Sequence, residues 1–202
     1  MKSNHIRIIA TIIFFGFILK ASAQTNEKSG PDYSNTLKLV GVGLGIGGDY
    51  GVYSGSSATP LLDVYYDQQV YRYDKFGVIT VGGMAGIKTY HYSHGSYHES
   101  WRYTLIGARA AFHITGPDFA SYSDNIDPNK FKNLDLYGGI ILGYYALSYS
   151  NNNNNYDHGA YGSHLGFSLF VGGRYYFTNK LAAVAELGFG ASIINIGVSY
   201  KL

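Results

Sequence analysis

Apolar residues alternate with small, polar or aromatic residues in eight segments of about ten residues each. A two-residue period places successive side chains on opposite faces of a strand, and helical spacing fits none of the segments well. Glycine recurs inside most of them, which disfavours helix, and the frequent Tyr, Val, Ile and Phe favour strands. The predicted strands are 37–47, 60–69, 76–89, 101–114, 134–148, 165–177, 181–190 and 192–202.

The connections between these segments alternate in length. Three are polar, rich in Gly, Ser or Asn, and long, namely 49–59, 90–100 and 149–164, whereas 70–75 and 178–180 are short. Long loops at one end and short turns at the other are typical of outer-membrane barrels. Two connections depart from this alternation, because 115–133 is long where a short turn is expected and the link near Ala191 is tight. The pattern predicts an all-β fold, an eight-stranded antiparallel up-and-down transmembrane β-barrel.

The two faces of each strand separate a membrane barrel from a soluble one. Within 101–114, one face carries Ile106, Ala108 and Phe112, and the other carries Arg109 and His113. In a soluble barrel the second face would meet water and be dense in charged residues. Here that face is mostly Gly, Ala and Tyr, which suits the narrow lumen of a small barrel. We therefore expect the apolar rows to face lipid, with Tyr near the strand ends in the interface girdle.

The N-terminal region has the organisation of a secretory signal peptide. A basic start precedes a short apolar core at 8–19 and the small-residue site Ala-Ser-Ala at 21–23, so cleavage is predicted between Ala23 and Gln24. The apolar core is too short to span a membrane as a helix. The predicted division is a signal peptide at 1–23, a flexible periplasmic lead-in at 24–36 and the barrel domain at 37–202. The expected location is the cell outer membrane of a Gram-negative bacterium.

The last strand carries a second signal of outer-membrane insertion. One unbroken apolar row ends the chain: Ile194, Ile196, Val198, Tyr200 and Leu202. Such a row is typical of the terminal strand by which the barrel-assembly machinery recognises its clients, although Leu202 stands where Phe is usual. Expected partners are therefore this machinery, outer-membrane lipid and lipopolysaccharide. The net charge is only +2 and Lys and Arg form no cluster, so no nucleic acid is expected. We expect a monomer.

With these features the chain resembles the small eight-stranded outer-membrane β-barrel family of Bacteroidota-type bacteria, similar in size to the OmpX and OmpA barrel domains. The resemblance is carried by PLLDVYYD (60–67), IGARAAFH (106–113), LDLYGGIILGYY (134–145), FVGGRYYFTNKLAAVAELGFG (170–190) and INIGVSYKL (194–202). It implies an outer-membrane protein and implies no particular reaction.

Isolated charges fall on the predicted inner face and form the candidate site. Arg109, Arg174 and Glu186 lie there, and Asp67 and Asp135 are expected to join them. If 178–180 is a three-residue turn, Arg174 and Glu186 become diagonal neighbours within side-chain reach. Such a network either fills the lumen structurally or gates a path for ions.

Other chemistry has weaker support in the sequence. His91, His94 and His98 lie in a predicted external loop and are weak metal candidates, because their spacing is loose and the chain has no Cys. We predict no catalytic residues, no metal and no cofactor.

The predicted role is non-enzymatic and concerns envelope integrity or surface interaction through the extracellular loops. One alternative is a porin-like channel for small solutes gated by the luminal Arg/Glu network, although side chains usually fill an eight-stranded barrel. A second alternative is an outer-leaflet lipid A-modifying enzyme.

Overall fold

The computed structural model describes residues 36–48, 57–73, 76–95, 97–122, 128–151 and 162–202. The predicted signal peptide at 1–23 and its cleavage site between Ala23 and Gln24 lie outside these residues, as does nearly all of the lead-in, so they stay predictions. Within the described ranges, no helix has the length and apolar character needed to cross a membrane.

Eight long antiparallel strands close into a barrel. The strands are β1 (Lys38–Ile46), β2 (Ser57–Ala58), β3 (Leu61–Tyr73), β4 (Gly77–His94), β5 (Tyr97–Thr115), β6 (Leu134–Asn151), β7 (His164–Tyr176), β8 (Leu181–Phe189) and β9 (Ile194–Lys201). Each long strand pairs with the next along the chain, and β9 pairs back with β1. The two-residue β2 lies beside the end of β4. The predicted eight-stranded up-and-down barrel is therefore confirmed.

The distribution of apolar and charged side chains is the reverse of that in a water-soluble protein. Leu165, Phe189 and Ile106 are 82%, 67% and 65% exposed, whereas Arg174 and Asp135 are completely buried. Every long strand points apolar side chains outward along at least part of its length. Because an exposed apolar band around a closed barrel is stable only in lipid, the chain is an outer-membrane β-barrel with transmembrane strands.

Glycine on the inner rows makes room for larger side chains from neighbouring strands. On β1 the alternation buries Gly41 and its two inward glycine neighbours while Val40 and Val42 face outward. A Cβ atom on Gly41 would overlap the ring of Tyr65, which lies directly opposite on the adjacent strand β3. The lumen is therefore packed by side chains and does not form an open tube.

One wall of the barrel is taller than the rest. Strands β4, β5 and β6 have 18, 19 and 18 residues, whereas β1, β8 and β9 have 9, 9 and 8. The extra length of β4 and β5 continues beyond the row where β7 begins, by roughly 25 Å along the strand direction. This end carries the connections that the sequence places outside the cell.

The observed strands correct two predicted connections, one at each end of the barrel. The supposed loop at 90–100 is mostly strand, since β4 and β5 stay paired up to His94 and Tyr97, and Gly95 turns the chain with φ of +62°. The supposed turn at 70–75 is also mostly strand, because β3 continues past a register shift between Gln69 and Tyr71. Both segments are mostly polar or aromatic, so alternation of apolar residues does not reveal them. Their backbone hydrogen bonds to the neighbouring strands nevertheless continue.

The long connection at 115–133 contains two short helices, a 3-10 helix at Gly116–Ser121 and α1 at Pro128–Phe131. Asp118 accepts hydrogen bonds from the backbone N and the Oγ1 of Thr115, at 2.9 and 2.6 Å. Arg72 of β3 forms a 2.9 Å salt bridge with the same carboxylate. The rings of Phe119 and Phe131 lie 5.2 Å apart and join the two helices. Residues 116–122, here called the excursion, are thus fixed to the barrel through Asp118.

Two adjacent glycines on β4 give a matched test of the close packing at inner-row glycines. A Cβ on Gly82 would overlap the backbone carbonyl of Tyr66, whereas a Cβ on Gly83 meets nothing closer than Gly107 O at 3.5 Å. We expect Gly82→Ala to lower the free energy of unfolding in urea by about 1–3 kcal/mol, because backbone cannot yield easily to an added atom. Gly83→Ala is the control and should leave the urea midpoint unchanged. Equal midpoints for both variants would contradict the packing described.

Candidate functional site: the charged lumen

Two arginines from different strands hold three carboxylates inside the barrel. Arg109 on β5 donates from Nε to Asp67 Oδ2 at 3.1 Å and from Nη2 to Glu186 Oε1 at 2.6 Å. Arg174 on β7 donates from Nη1 to Asp135 Oδ2 at 2.8 Å, and its Nη2 lies 3.8 Å from Asp67 Oδ2. Asp67 therefore bridges the two guanidinium groups. The structure brings all five sequence-selected residues into one network.

Arg174 and Glu186 are diagonal neighbours on adjacent strands, but each forms its salt bridge with a different residue. The register places Arg174 opposite Val184 and Glu186 opposite Gly172, as a turn at 178–180 predicts. Among the described residues, however, Arg174 and Glu186 form no salt bridge. Arg174 instead pairs with Asp135, which lies directly opposite on β6, while Glu186 meets Arg109 across the lumen. The register thus bears out the diagonal placement of Arg174 and Glu186, but Arg174 takes the directly opposite Asp135 as its partner, because a directly opposite residue is closer than a diagonal one.

Aromatic rings cover the charged groups. The guanidinium carbon of Arg109 lies 3.9 Å from the ring centroid of Phe170 and 4.7 Å from that of Tyr65. Arg174 lies 4.3 Å from the Tyr137 centroid, and the Tyr137 hydroxyl donates to Glu186 Oε1 at 2.8 Å. A ring face attracts a cation more strongly when water is excluded. The sequence reasoning missed these aromatic residues, although their inward parity was available as a signal.

A histidine extends the network toward the periplasmic end. His113 Nε2 lies 3.0 Å from Thr80 Oγ1, and its Nδ1 lies 3.0 Å from Asp135 Oδ1. Its ring stacks on Tyr137 at 4.9 Å. The hydroxyl–imidazole–carboxylate order is that of a nucleophilic triad. All three side chains are nevertheless completely buried, so a substrate has no access to Thr80, and the arrangement serves packing.

Apolar side chains close the lumen below the charges. Leu37, Leu39 and Val78 form a buried cluster at the periplasmic end, with exposed fractions of 2%, 0% and 0%. This cluster, the lower plug, follows from the inward parity of β1 and β4. Buried polar residues, among them Ser199 and Lys201, share this end of the lumen with the cluster.

Rings and a buried lysine close the lumen above the charges. Tyr90, Trp101 and Tyr145 belong to the same buried core cluster as the lower rings. Lys88 donates from Nζ to the carbonyl oxygens of Gly47 and Gly48, at 2.6 and 2.9 Å, and so draws the end of β1 over the opening. Two cavities in this upper region measure about 20 and 10 Å³. The larger one has room for about one water molecule.

Some polar atoms of the network have no partner in the described structure. Asn195 donates to Asp63 Oδ2 at 2.7 Å, but Asp63 Oδ1 and Asp67 Oδ1 accept no hydrogen bond from the described residues. Arg109 Nη1 and Arg174 Nε likewise donate none there. Buried polar atoms left unmatched are costly, and removal of a countercharge adds to that cost.

The histidine candidates lie at the top of the tall wall. His91 and His94 are on β4 and His98 is on β5, where its Nδ1 lies 3.0 Å from Ser93 Oγ. The described part of the chain contains no group of three or more potential metal ligands. The structure therefore does not bring these three side chains together as a metal centre.

The terminal apolar row faces outward on β9. Ile194, Ile196, Tyr200 and Leu202 are 45%, 53%, 42% and 60% exposed, and Val198 is half-buried. β9 pairs with both β1 and β8, so it is the strand that closes the barrel. Its use as an insertion signal stays a prediction.

Removal of Arg109 tests how strongly the barrel depends on its charges. We expect Arg109→Met to lower the free energy of unfolding by about 3–5 kcal/mol, because Asp67 and Glu186 would stay buried without their cation. Adding Glu186→Gln to that variant should restore part of the loss. The control is Arg72→Met, whose salt bridge with Asp118 is partly exposed and should matter by about 0–1 kcal/mol. Equal urea midpoints for the Arg109 and Arg72 variants would contradict this assignment.

Comparison with known proteins yields structural likeness only. No protein-family model matches the chain, and no curated protein sequence matches it. The structure of Ail, the attachment invasion locus protein of Yersinia pestis, in complex with the heparin analogue sucrose octasulfate, has 10% sequence identity and a TM-score of 0.42. That match covers 82% of this chain and 96% of Ail. A de novo designed transmembrane β-barrel has 17% identity and a TM-score of 0.36 over 88% of this chain and 100% of the design.

Proposed function

We propose that this chain is a closed, non-conducting outer-membrane barrel that acts as a rigid anchor and presents its tall wall to the outside for surface interaction. The observation that carries the proposal is the continuous filling of the lumen. The lower plug, the Arg109 and Arg174 network and the buried rings of the main core cluster together occupy the lumen. A protein that used the lumen for transport would need a continuous polar path instead.

The tall wall supports a surface role. At its top, outward positions carry polar side chains in place of apolar ones, with His91 paired to Ser100 and Ser93 paired to His98. Below them the outward positions Ile87 and Ile106 are apolar. The wall thus leaves the lipid band and continues into water as a paired hairpin. A rigid hairpin loses little conformational entropy when it meets a partner.

The proposed role is non-enzymatic. His113 has the neighbours of a catalytic base, but it is completely buried between the lower plug and the ion pairs. A lipid A-modifying site would have to open toward the outer leaflet, whereas His113 lies toward the other end of the barrel. Membership of the Bacteroidota-type branch of small barrels is likewise proposed, from the five sequence segments alone.

Conductance separates a closed barrel from a channel. We expect purified wild-type protein in a planar lipid bilayer to give no regular single-channel steps. Glu186→Gln should also stay silent, because the lower plug remains in place beneath the altered charge. Detergent-matched buffer without protein is the blank, and an open porin is the positive control. Regular wild-type steps whose size changes in Glu186→Gln would instead establish the gated channel.

Surface labelling tests which end faces the outside. The chain lacks cysteine, so single Cys variants have no background. A membrane-impermeant maleimide should label His94→Cys, at the tip of the tall wall, on intact cells. Lys180→Cys, an exposed position in the turn at the opposite end, should react only after permeabilisation. The reverse labelling pattern would invert the proposed orientation and remove the surface role of the wall.

A further inference from the structure

A row of exposed aromatic rings runs from β3 onto the excursion at 116–122. Tyr71, Tyr73, Phe76 and Tyr122 follow one another with ring-centroid distances of 6.4, 5.9 and 5.8 Å. Their exposed fractions are 55%, 55%, 44% and 50%. Rings in contact yet half exposed do not form a core. They form one outward-facing surface, the periplasmic aromatic row.

This row is continuous with the lipid-facing band. Tyr71 pairs with Ile79, and Ile79 pairs with Phe112, both of which point outward from the barrel wall. Phe76 and Tyr122 lie just beyond that wall, at the edge of the apolar band. This is the depth at which aromatic girdles of barrels occupy the membrane interface.

Other strand ends supply the same girdle on the far side of the barrel. Tyr175 and Phe177 are 54% and 51% exposed, with rings 5.9 Å apart, and Tyr200 is 42% exposed under the Lys180 ammonium. These residues belong to strands or to the turn that follows one. Tyr122 differs because it belongs to a connection that the barrel itself does not require.

The position of Tyr122 is set by contacts with the barrel. Its hydroxyl donates to Phe76 O at 2.8 Å, and its backbone N donates to Phe119 O at 3.2 Å. One turn earlier, Asp118 is held by Thr115 of β5 and by Arg72 of β3. The Tyr122 ring is thus held at the outer edge of the wall by its hydrogen bond and ring contact with Phe76. The bonds of Asp118 fix the preceding turn.

We infer that the excursion is a membrane-interface anchor, with Tyr122 entering the headgroup region of the periplasmic phospholipid leaflet beside Phe76. The amphipathic tyrosine ring suits that depth, because its apolar body meets acyl chains while its hydroxyl stays hydrogen-bonded. The excursion then lies along the leaflet and does not project into the periplasm. Its partner is glycerophospholipid, since the aromatic row extends a surface that already faces lipid.

A spin label in the cysteine-free chain tests this placement. Tyr122→Cys carries the probe, Ile106→Cys marks the lipid-facing wall, and His94→Cys marks the water-exposed tip. Each labelled full chain is reconstituted in vesicles of phosphatidylethanolamine and phosphatidylglycerol. Collision rates are measured with oxygen, which concentrates in lipid, and with a neutral nickel complex present on both sides of the membrane.

We expect the oxygen-to-nickel collision ratio at position 122 to exceed that at position 94 by roughly threefold or more and to fall below that at position 106. A ratio equal to that at position 94 would place the excursion in water and overturn the inference. Low collision rates with both reagents would show that protein covers the ring, which also overturns it. These outcomes are independent of conductance and of surface labelling.

A second probe covers the case in which Tyr122→Cys fails to fold, as judged by loss of heat-modifiable migration on a gel. Tyr122→Trp keeps an aromatic ring, and Trp101→Phe removes the single native tryptophan. We expect bromine-labelled phospholipid to reduce the emission of this variant by roughly a third or more. Emission that aqueous acrylamide quenches while bromolipid leaves it unchanged would overturn the inference.

Discussion

The pairing of β1 with β9, which closes the barrel, is the constraint on which the rest of this structure depends. It is required because lipid hydrocarbon cannot form hydrogen bonds with an unpaired backbone amide. Closure satisfies the ladder on every strand and gives the wall a defined inside and outside. Because the strand period is two, each strand must then divide its side chains between lipid and lumen. The lipid face favours apolar groups, so the charged residues of the network all point inward.

The inward charges are stable only as a mutually compensating set. Arg109 joins β5 to β3 and β8, and Arg174 joins β7 to β6 and approaches β3. Apart from the Arg174–Asp135 pair, which joins the adjacent strands β7 and β6, these contacts connect strands that are not neighbours in the sheet, so they resist changes in barrel diameter that backbone pairing alone would allow. The aromatic faces of Tyr65, Tyr137 and Phe170 fill the remaining space and replace water around the cations. The same groups thus hold the barrel together and close it.

The two-residue alternation along each strand was enough to predict most of the fold and the residues of the candidate site. Alternation located all eight long strands and placed Arg109, Arg174 and Glu186 on one side of the wall. It could not assign partners, because the Arg109–Glu186 contact spans the lumen and depends on barrel closure. It also missed the upper parts of β4 and β5, where polar residues on both faces remove the contrast on which a periodicity argument depends. The strand period predicts that Tyr65 and Tyr137 point inward. It does not predict that an inward aromatic ring packs against a guanidinium group.

The two ends of the barrel differ in a way that bears on function. At the outer end β4 and β5 stay paired beyond the lipid band, so the wall changes from apolar to polar outward side chains without losing its ladder. At the inner end the long connection is tied down by Arg72, Asp118 and Tyr122. In the proposed role, the side chains that fill the lumen join these two ends. A hairpin that binds something outside would experience lateral and tilting forces, and a sealed barrel with aromatic rings at the opposite interface resists both. In the proposed surface role, such a barrel would therefore hold the hairpin in a fixed orientation.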